Sequence, residues 1–265
     1  MRLENKVIIV TASTRGIGLA IVKACAKEGG RVYMAARNLE RASEIATTLN
    51  NEGFNVKTVY NDATKLESYE TMIQEVYEKE GRIDVLVNNF GTSNPQTDLD
   101  IEHTNYEDFM NTVQTNLASV FIPSQKVIPI MKENGGGSIV NISSVGAIVP
   151  DISRIGYAVS KDAINYLTKN MAVQVARDNI RCNVVMPGMT ATDAVTSNMS
   201  DAFVDFFLKH SPIRRMATPE EIANAVLYFA SDESAFTTGQ MIAVTGGFGM
   251  PTPLYGDMID MRKKN

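Results

Sequence analysis

The sequence predicts a doubly wound α/β fold built around a parallel sheet of seven strands. Apolar runs of strand length alternate with helical patterns along all 265 residues. The strand runs are continuously apolar, which is typical of parallel strands buried on both faces. No linker rich in Pro, Gly or Ser interrupts this alternation, so we expect a single domain over residues 1–265.

The predicted elements follow one another in a regular order. Glycines close the first three helices and Pro219 opens the last one, which are the usual signals for helix ends and starts. The predicted strands are 6–10, 31–36, 56–60, 83–89, 137–144, 180–187 and 239–247. The predicted helices are 16–29, 39–53, 65–81, 105–133, 154–177 and 219–231.

The composition argues against several classes of function. The net charge is −5 and no basic stripe is present, so nucleic acid is not an expected partner. Cys25 and Cys182 lie in no metal-like spacing, which favours reduced thiols and no bound metal. No signal-peptide pattern occurs and no run approaches the ~20 apolar residues of a membrane span. We therefore expect a cytoplasmic protein that does not associate with membranes.

The turn "TASTRGIG" (11–18) joins the first strand to the first helix. Gly16 and Gly18 let the backbone approach a ligand closely and let the helix begin tight against the sheet. A helix N-terminus offers free N–H groups and the positive end of its dipole to a phosphate. Its place directly after the first strand favours a dinucleotide site over an ordinary turn.

The end of the second strand indicates which dinucleotide binds. It reads "MAARN", where Arg37 follows Ala36 and no carboxylate is present to hold ribose hydroxyls. Arg37 and Arg15 in the glycine turn could together hold a 2′-phosphate, because a guanidinium matches phosphate oxygens. The sequence thus predicts NADP(H) over NAD(H). The alternative is that Arg37 is an ordinary solvated charge.

A second motif is "IGYAVSK" (155–161), in which Tyr157 and Lys161 are one helical turn apart. A free tyrosine has a pKa near 10. A nearby ammonium group favours the phenolate and lowers that pKa, which suits general acid–base work at neutral pH. Taken alone, Tyr157 would be better interpreted as an amphipathic residue at a helix edge.

Nearly the whole chain resembles the short-chain dehydrogenase/reductase family, whose members have a Rossmann-type fold. The glycine turn resembles the family motif TGxxxGxG, and "NNFG" (88–91) resembles NNAG. Two departures stand out: Ala12 replaces the first glycine of the turn, and Phe90 replaces the NNAG alanine. The other matching positions are Asp62, Asn116, "NISS" (141–144), Tyr157, Lys161, and "PG" (187–188) with Thr192.

The resemblance implies a catalytic set of Asn116, Ser144, Tyr157 and Lys161. Hydride would move between NADPH and a carbonyl carbon while Tyr157 donates a proton to the oxygen and Ser144 hydrogen-bonds it. Lys161 would also hold the nicotinamide ribose, and Asn116 would hold a water that relays protons to Lys161. Residues expected to bind the cofactor are Ser13, Thr14, Arg15, Gly16, Ile17, Gly18, Arg37, Asn38, Asp62, Ala63, Asn89, Gly91, Tyr157, Lys161, Pro187, Gly188, Thr190 and Thr192.

The segment 189–216 is expected to close over the substrate, with the tail 246–265 near the pocket. Phe203, Phe206 and Phe207 fall on one helical face, which could form an apolar lid or pack on the core. Arg154, Arg214 or Arg215 could meet a substrate carboxylate at the rim. The predicted substrate residues are Ser144, Tyr157, Phe90, Met189, Phe203 and Phe207.

Local stretches such as "GRIDVLVNNFG" and "VPDISRIGY" resemble the bacterial bile-acid hydroxysteroid dehydrogenases. On this resemblance, and on the stretches "FGTSNP" (90–95) and "MTATDAV" (189–195) in particular, we favour a 12α-hydroxyl as the reacting group, with the 7α-hydroxyl as the alternative. Two other interpretations remain: a 3-oxoacyl-carrier-protein reductase and a non-catalytic NADPH-binding regulatory protein. The resemblance also implies a homotetramer that uses the helices at 105–133 and 154–177.

Overall fold

Seven parallel strands form one sheet in the order β3-β2-β1-β4-β5-β6-β7. The structure is a computed structural model that describes residues 1–150, 154–197, 199–250 and 254–263. The predicted fold class is confirmed. The strands are β1 Val7–Thr11, β2 Arg31–Ala36, β3 Asn55–Tyr60, β4 Val85–Asn88, β5 Gly137–Ile142, β6 Ile180–Pro187 and β7 Met241–Val244.

Helices cover both faces of the sheet. One apolar core lies between the sheet and α1, α2 and α8, and a second lies between the sheet and α3, α4 and α5. The helices are α1 Gly16–Lys27, α2 Leu39–Asn51, α3 Glu67–Glu80, α4 Tyr106–Glu133, α5 Ile155–Val175, α6 Asp193–Thr196, α7 Asp201–Lys209, α8 Pro219–Ala230 and α9 Leu254–Lys263. None of the described helices is long and apolar enough to cross a membrane.

Local signals in the sequence account for several helix ends. Thr218 accepts a hydrogen bond from the Glu221 amide while the Glu221 side chain bonds back, so a capping box with Pro219 inside it starts α8. Gly81 ends α3 in the left-handed conformation, with φ of 69°. Long α4 tolerates Pro123 and Pro129 within its length.

The structure corrects the sequence prediction at several elements. Strand β7 is shorter than the predicted 239–247, and β4 is shorter than 83–89. Part of the predicted helix 154–177 is a short 3₁₀ turn over Ala176–Asp178 that follows α5. Helix α9 in the tail was not predicted, and the lid segment contains two helices, α6 and α7.

The strand order places a crevice between β1 and β4. From β1 the chain proceeds to β2 and β3 on one side, and then returns to β4 on the other. Connections on the two sides leave in opposite directions at this point, so a gap opens at the carboxyl ends of the strands. The predicted catalytic and cofactor residues lie on loops, helices or strand ends at or near this edge.

Candidate active site

The glycine turn after β1 packs closely against neighbouring segments of the chain. A Cβ added at Gly18 would lie 2.4 Å from the Ala12 carbonyl oxygen and 2.6 Å from Asn89 Nδ2. Gly16 has a φ of +53°, and a Cβ there would lie 3.1 Å from Thr192 Cγ2. The turn therefore lies against both the end of β4 and the loop after β6.

The N-terminus of α1 opens onto this turn without a capping group. Arg15 is the N-cap residue of α1, and its side chain forms no capping hydrogen bond. The first turn of α1 contains no acidic residue. Free N–H groups and the positive dipole end suit a phosphate there. The turn thus fits the pyrophosphate of a dinucleotide. Ser13, Thr14 and Ile17 lie within the same turn.

Asn89 fastens β4 to β1 beside the turn. Its Nδ2 donates to the carbonyl oxygens of Thr11 and Ala12, both at 3.1 Å. Ala12, at the first departure from the family motif, has a φ of 51°, in the left-handed region that favours glycine. The second departure, Phe90, is half-buried, and its amide donates to Thr11 Oγ1 at 3.2 Å.

The ends of β2 and β3 bring the predicted adenosine-binding groups to one side of the turn. Asp62 accepts hydrogen bonds from the amide and hydroxyl of Thr64, and the amide bond leads the causes that hold the pKa of Asp62 below its usual value. Asn38 caps α2 by accepting from the Arg41 amide, and Arg37 is exposed next to it. Ala63 follows Asp62 and is half-buried.

The two serines after β5 have different surroundings. Ser143 is buried and its hydroxyl donates to the Lys161 carbonyl oxygen at 2.9 Å. Ser144 is half-buried and its Oγ accepts a bond from the Gly146 amide at 3.2 Å. The Ser144 hydroxyl hydrogen is therefore available to a ligand, whereas Ser143 already uses its own.

Lys161 is buried beneath Tyr157. Its Nζ donates to the Ile142 carbonyl oxygen at 2.8 Å and lies 5.6 Å from the centre of the Tyr157 ring. Burial lowers the pKa of Lys161 to about 8. The guanidinium of Arg154 lies 5.4 Å from the same ring. Two cationic side chains thus flank the phenol ring.

Gly91 completes the contact between the end of β4 and this pair. A Cβ at Gly91 would lie 2.7 Å from Lys161 Nζ and 4.0 Å from Tyr157 Cε2. The backbone after β4 therefore passes directly over Lys161 and reaches Tyr157. A residue with a side chain would displace Lys161 or the loop.

Asn116 links the loop after β4 to α5. Its Nδ2 donates to the Thr92 carbonyl oxygen and to Ser160 Oγ, both at 2.9 Å, and its Oδ1 accepts from the Thr92 amide. Ser160 in turn donates to the Tyr157 carbonyl oxygen at 2.7 Å. These bonds show that Asn116 holds the loop and the helix together, and the water relay expected from the resemblance stays a prediction.

Sequence reasoning missed the residues that hold the start of α5. The buried carboxylate of Asp98 accepts bonds from the amides of Gly156 and Tyr157 at 2.7 and 3.0 Å. The only signal in the sequence was the small residue before Tyr157. Asp98 lies 58 positions from Gly156 in the chain, so no local pattern could identify it.

The loop after β6 forms the last part of the edge. A Cβ at Gly188 would lie 2.8 Å from Thr245 Cα, so the loop packs tightly against the end of β7 next to Pro187. Thr190 is buried and its hydroxyl donates to the Gly188 carbonyl oxygen at 3.0 Å. Thr192 precedes α6 and faces the glycine turn.

The predicted lid is exposed instead of packed on the core. Helix α7 contains no buried residue, and Phe203 and Phe206 are 44% and 56% exposed. Phe207 stacks on Phe248 of the tail, with ring centres 4.1 Å apart. A cavity of about 130 Å³ behind the lid is lined by Met189, Phe207, Leu208, Ser211, Ile213, Arg215, Ala217, Glu221, Val244, Thr245 and Gly246. Ser144 and Tyr157 are not among its lining residues, so it lies apart from the catalytic groups.

Arg214 and Arg215, which were expected at the substrate rim, form ion pairs with carboxylates of this chain. Arg214 forms ion pairs with Asp257 and Asp260 of α9. Arg215 forms a bidentate pair with Glu221. The prediction that either one meets a substrate carboxylate therefore has no support from their positions.

Comparison with known proteins gives consistent matches. The family model described as "Enoyl-(Acyl carrier protein) reductase" matches residues 11–249. A Clostridium sardiniense protein named 7alpha-hydroxysteroid dehydrogenase is 51% identical over 256 residues, which cover 97% of this chain and 98% of that protein. A Paraclostridium sordellii protein of the same name is 48% identical over 259 residues, 97% of each.

A solved structure is also similar. It is described as 7 alpha-hydroxysteroid dehydrogenase complexed with NADH and 7-oxo glycochenodeoxycholic acid. It has a TM-score of 0.88 and 34% identity, and the match covers 93% of this chain and 95% of that one.

Proposed function

The chain belongs to the short-chain dehydrogenase/reductase family and is an oxidoreductase acting on CH–OH groups, and from this premise we propose that it interconverts the 7α-hydroxyl and the 7-ketone of a bile acid. The observation that carries the chemical part of this proposal is Tyr157 with Lys161 buried beneath it at the carboxyl edge of the sheet. The relatives' names support the steroid part.

The choice of the 7α position replaces the 12α preference inferred from the sequence. That preference depended on short stretches such as "FGTSNP" and "MTATDAV". The two relatives at 51% and 48% identity are both named for the 7α position, over almost their whole length. They favour the 7α alternative over the 12α prediction.

The protein groups account for the movement of the proton. In the direction of reduction, the Tyr157 phenol donates a proton to the ketone oxygen, and the Ser144 hydroxyl donates a hydrogen bond to the same oxygen. In the direction of oxidation, the phenolate accepts the proton of the alcohol. Lys161 and Arg154 stabilise that phenolate because each places a positive charge beside the ring. A bound nicotinamide dinucleotide supplies or accepts the hydride.

We assign NADP(H) as the preferred cofactor on the basis of this chain's own residues. The similar solved structure contains NADH, so the relatives do not decide between the two dinucleotides. Arg37 and Arg15 are exposed at the ends of β2 and β1, and neither forms an ion pair among the described residues. Both guanidiniums are free to bind a 2′-phosphate. Asp62 accepts from Thr64 and would lie on the adenine side.

The exposed lid supports a large apolar substrate. Phe203 and Phe206 present aromatic surface to solvent without packing on the core, which is costly unless a ligand or partner covers them. The flat hydrocarbon skeleton of a steroid would bury such surface. The stack of Phe207 on Phe248 extends the same apolar wall into the tail.

We also infer a homotetramer built on α4 and α5. Val159, Tyr166 and Val173 are exposed and recur every seven residues along α5, so they form one apolar stripe. Tyr106, Met110 and Phe121 form a similar exposed face on α4. Two copies of this helix pair could bury both stripes in a four-helix bundle, which would be one of the interfaces of the tetramer.

One assay tests the position of the reacting hydroxyl and the cofactor together. The purified protein is given chenodeoxycholate, which has a 7α-hydroxyl and no 12-hydroxyl, or deoxycholate, which has the reverse, each with NADP⁺ and with NAD⁺. The proposal predicts absorbance of reduced cofactor with chenodeoxycholate and NADP⁺. Turnover with deoxycholate alone would restore the 12α assignment, and no turnover with either would exclude these bile acids as substrates.

A further inference from the structure

The first N–H groups of α5 are bonded by a segment far away in the sequence. The Ile155 amide donates to the Leu99 carbonyl oxygen at 2.9 Å. The next two amides, of Gly156 and Tyr157, donate to the two carboxylate oxygens of Asp98 at 2.7 and 3.0 Å. Arg154, at the N-cap position, has a left-handed backbone and its side chain makes no capping bond. The loop after β4 therefore supplies the helix cap.

Asp98 is an unusual capping residue because it is fully buried, with 0% of its surface exposed. Ser93 Oγ donates a third bond to its carboxylate at 2.8 Å. No ion pair with Asp98 occurs among the residues that the structure describes. A buried carboxylate is costly unless its oxygens are bonded, so these donors and the positive end of the helix dipole must stabilise its charge.

Gly156 lets the helix approach this carboxylate. A Cβ at Gly156 would lie 3.2 Å from Asp98 Oδ1, 3.2 Å from Thr112 Cβ and 3.4 Å from the Phe109 carbonyl oxygen. The first turn of α5 thus lies in a tight slot between Asp98 and α4. Such a slot leaves the backbone before Tyr157 little freedom to move.

We propose that Asp98 is a positioning residue for proton transfer by Tyr157. The carboxylate bonds the Tyr157 amide itself, so it fixes the backbone from which the phenol extends between Lys161 and Arg154. This inference rests on the proposed function, in which Tyr157 is the acid–base group. Neither the family motifs nor the relatives' names assign a role to Asp98.

The carboxylate also contributes to the charge around the phenol. Lys161 and Arg154 on α5 favour the phenolate, whereas the negative charge of Asp98, on the segment after β4, opposes it. The α4 residues that face Gly156, Phe109 and Thr112, carry no charge. Removal of the Asp98 charge should therefore shift the acid–base equilibrium of Tyr157 towards the phenolate, and so towards lower pH.

The central test is Asp98→Asn. The amide keeps the shape of the side chain but loses the charge, and its NH₂ group opposes one of the two helix amides. We expect kcat to fall by about 10- to 100-fold, because small displacements of a reacting group have effects of that size. We expect KM for NADP⁺ to stay within about threefold of wild type, and the pH midpoint of kcat/KM to move down.

Asp84→Asn is the matched control. Asp84 is also a buried carboxylate that accepts a backbone amide, from Val7 at 2.8 Å, but it lies at the amino end of β4, away from Tyr157. We expect this variant to lose thermal stability while its kcat and pH midpoint stay at the wild-type values. If Asp84→Asn lowers kcat as much as Asp98→Asn does, the positioning role is excluded.

Ser93→Ala keeps the proposal testable if Asp98→Asn does not fold. This change removes one donor to the carboxylate and leaves the backbone bonds intact. We expect kcat to fall by about two- to fivefold with KM for NADP⁺ unchanged, since one hydrogen bond to a charged group is lost. An unchanged kcat in whichever of these two variants folds would overturn the proposal.

A parallel Tyr157→Phe variant separates this inference from the proposed function. If Tyr157→Phe keeps its turnover, the proposed proton-transfer mechanism fails, and the role of Asp98 fails with it. If Tyr157→Phe is inactive while Asp98→Asn has the kcat and pH midpoint of wild type, only the positioning role is wrong.

Discussion

Lys161 is a charged side chain in a position where a charge is unfavourable for folding. It is 2% exposed, and burial lowers its pKa to about 8 from the ordinary value of 10.5. Because the folded state then holds fewer protons than the unfolded state between these two values, stability should rise with pH from about 8 to about 10.5. We attribute this destabilising cation to the proposed role of Tyr157, because a nearby positive charge stabilises a phenolate.

Lys161→Met should therefore stabilise the cofactor-free protein while it abolishes activity. The neutral side chain avoids the desolvation cost, and we expect the free energy of unfolding at pH 7 to rise by about 2 kcal/mol. Denaturant unfolding at pH 7 and pH 10 checks this, and the gain should be smaller at pH 10. A loss of stability at pH 7 would show that the bond from Lys161 to Ile142 outweighs the cost of burial.

Arg37→Ala tests the assignment of NADP(H). The loss of one charged hydrogen bond to a 2′-phosphate should raise KM for NADP⁺ by about 10- to 100-fold. KM for NAD⁺, which lacks that phosphate, should change little. Steady-state kinetics with both cofactors gives the two ratios, and Arg41→Ala, one turn into α2, serves as a neighbouring control. Equal increases for both cofactors would contradict a phosphate contact.

At the residue scale, the sequence predicted groups that lie in local motifs. Tyr157 and Lys161 are one turn apart, so their contact follows from helix geometry alone. The capping of α5 by Asp98 was missed because it depends on how the loop after β4 folds back on that helix. The bonds of Asn116 to Thr92 and Ser160 were also missed because these partners are distant in the chain, and the water relay expected of Asn116 stays a prediction.

At the scale of elements, the close packing between β1 and α1 requires that residue 18 is a glycine. Gly18→Ala would force a Cβ to within 2.4 Å of the Ala12 carbonyl oxygen and 2.6 Å of Asn89. We expect a loss of about 1 to 3 kcal/mol in unfolding free energy, as for other overpacked sites. NADPH binding, followed by its fluorescence, should weaken as well because the turn must shift.

Gly256→Ala is the control for that change. Gly256 lies in α9, and a Cβ there meets nothing within 4 Å. We expect unchanged NADPH binding and equal or slightly higher stability, because alanine favours a helix. If both variants behave alike, the close contact at Gly18 has no energetic weight.

The elements that the sequence missed are those fixed by non-local contacts. Helix α9 has no buried residue, and its ion pairs run from Asp257 and Asp260 to Arg214. Gly256 lies inside this helix, and glycine disfavours a helix interior. Strands and helices in the two cores were predicted well because burial on both faces of the sheet imposes continuous apolar runs.

At the scale of the whole molecule, the sheet order brings six separate loops to one edge. Residues from the ends of β1 to β6 meet there although they lie far apart in the chain. Such a gathering follows from parallel strands with right-handed crossovers, so the fold class was enough to predict it.

The proposed tetramer gives a second whole-molecule prediction. Val173 is 82% exposed on the α5 stripe, and Val173→Asp places a charge where a partner copy should pack. We expect light scattering after size exclusion to show smaller species, because burying an unpaired charge is costly. Thr47→Asp, at an exposed position of α2, should leave the assembly unchanged. Identical masses for wild type and Val173→Asp would exclude this interface.

The most direct test of the account compares the wild type with Tyr157→Phe, using chenodeoxycholate and NADP⁺. Loss of the phenolic hydroxyl removes the group assigned to exchange a proton with the substrate oxygen and leaves the ring in place. We expect the wild type to form the 7-oxo product and the variant to lose about 10²- to 10⁴-fold in kcat while it still binds NADPH. Undiminished turnover by Tyr157→Phe would contradict the assignment of Tyr157 as the acid–base group.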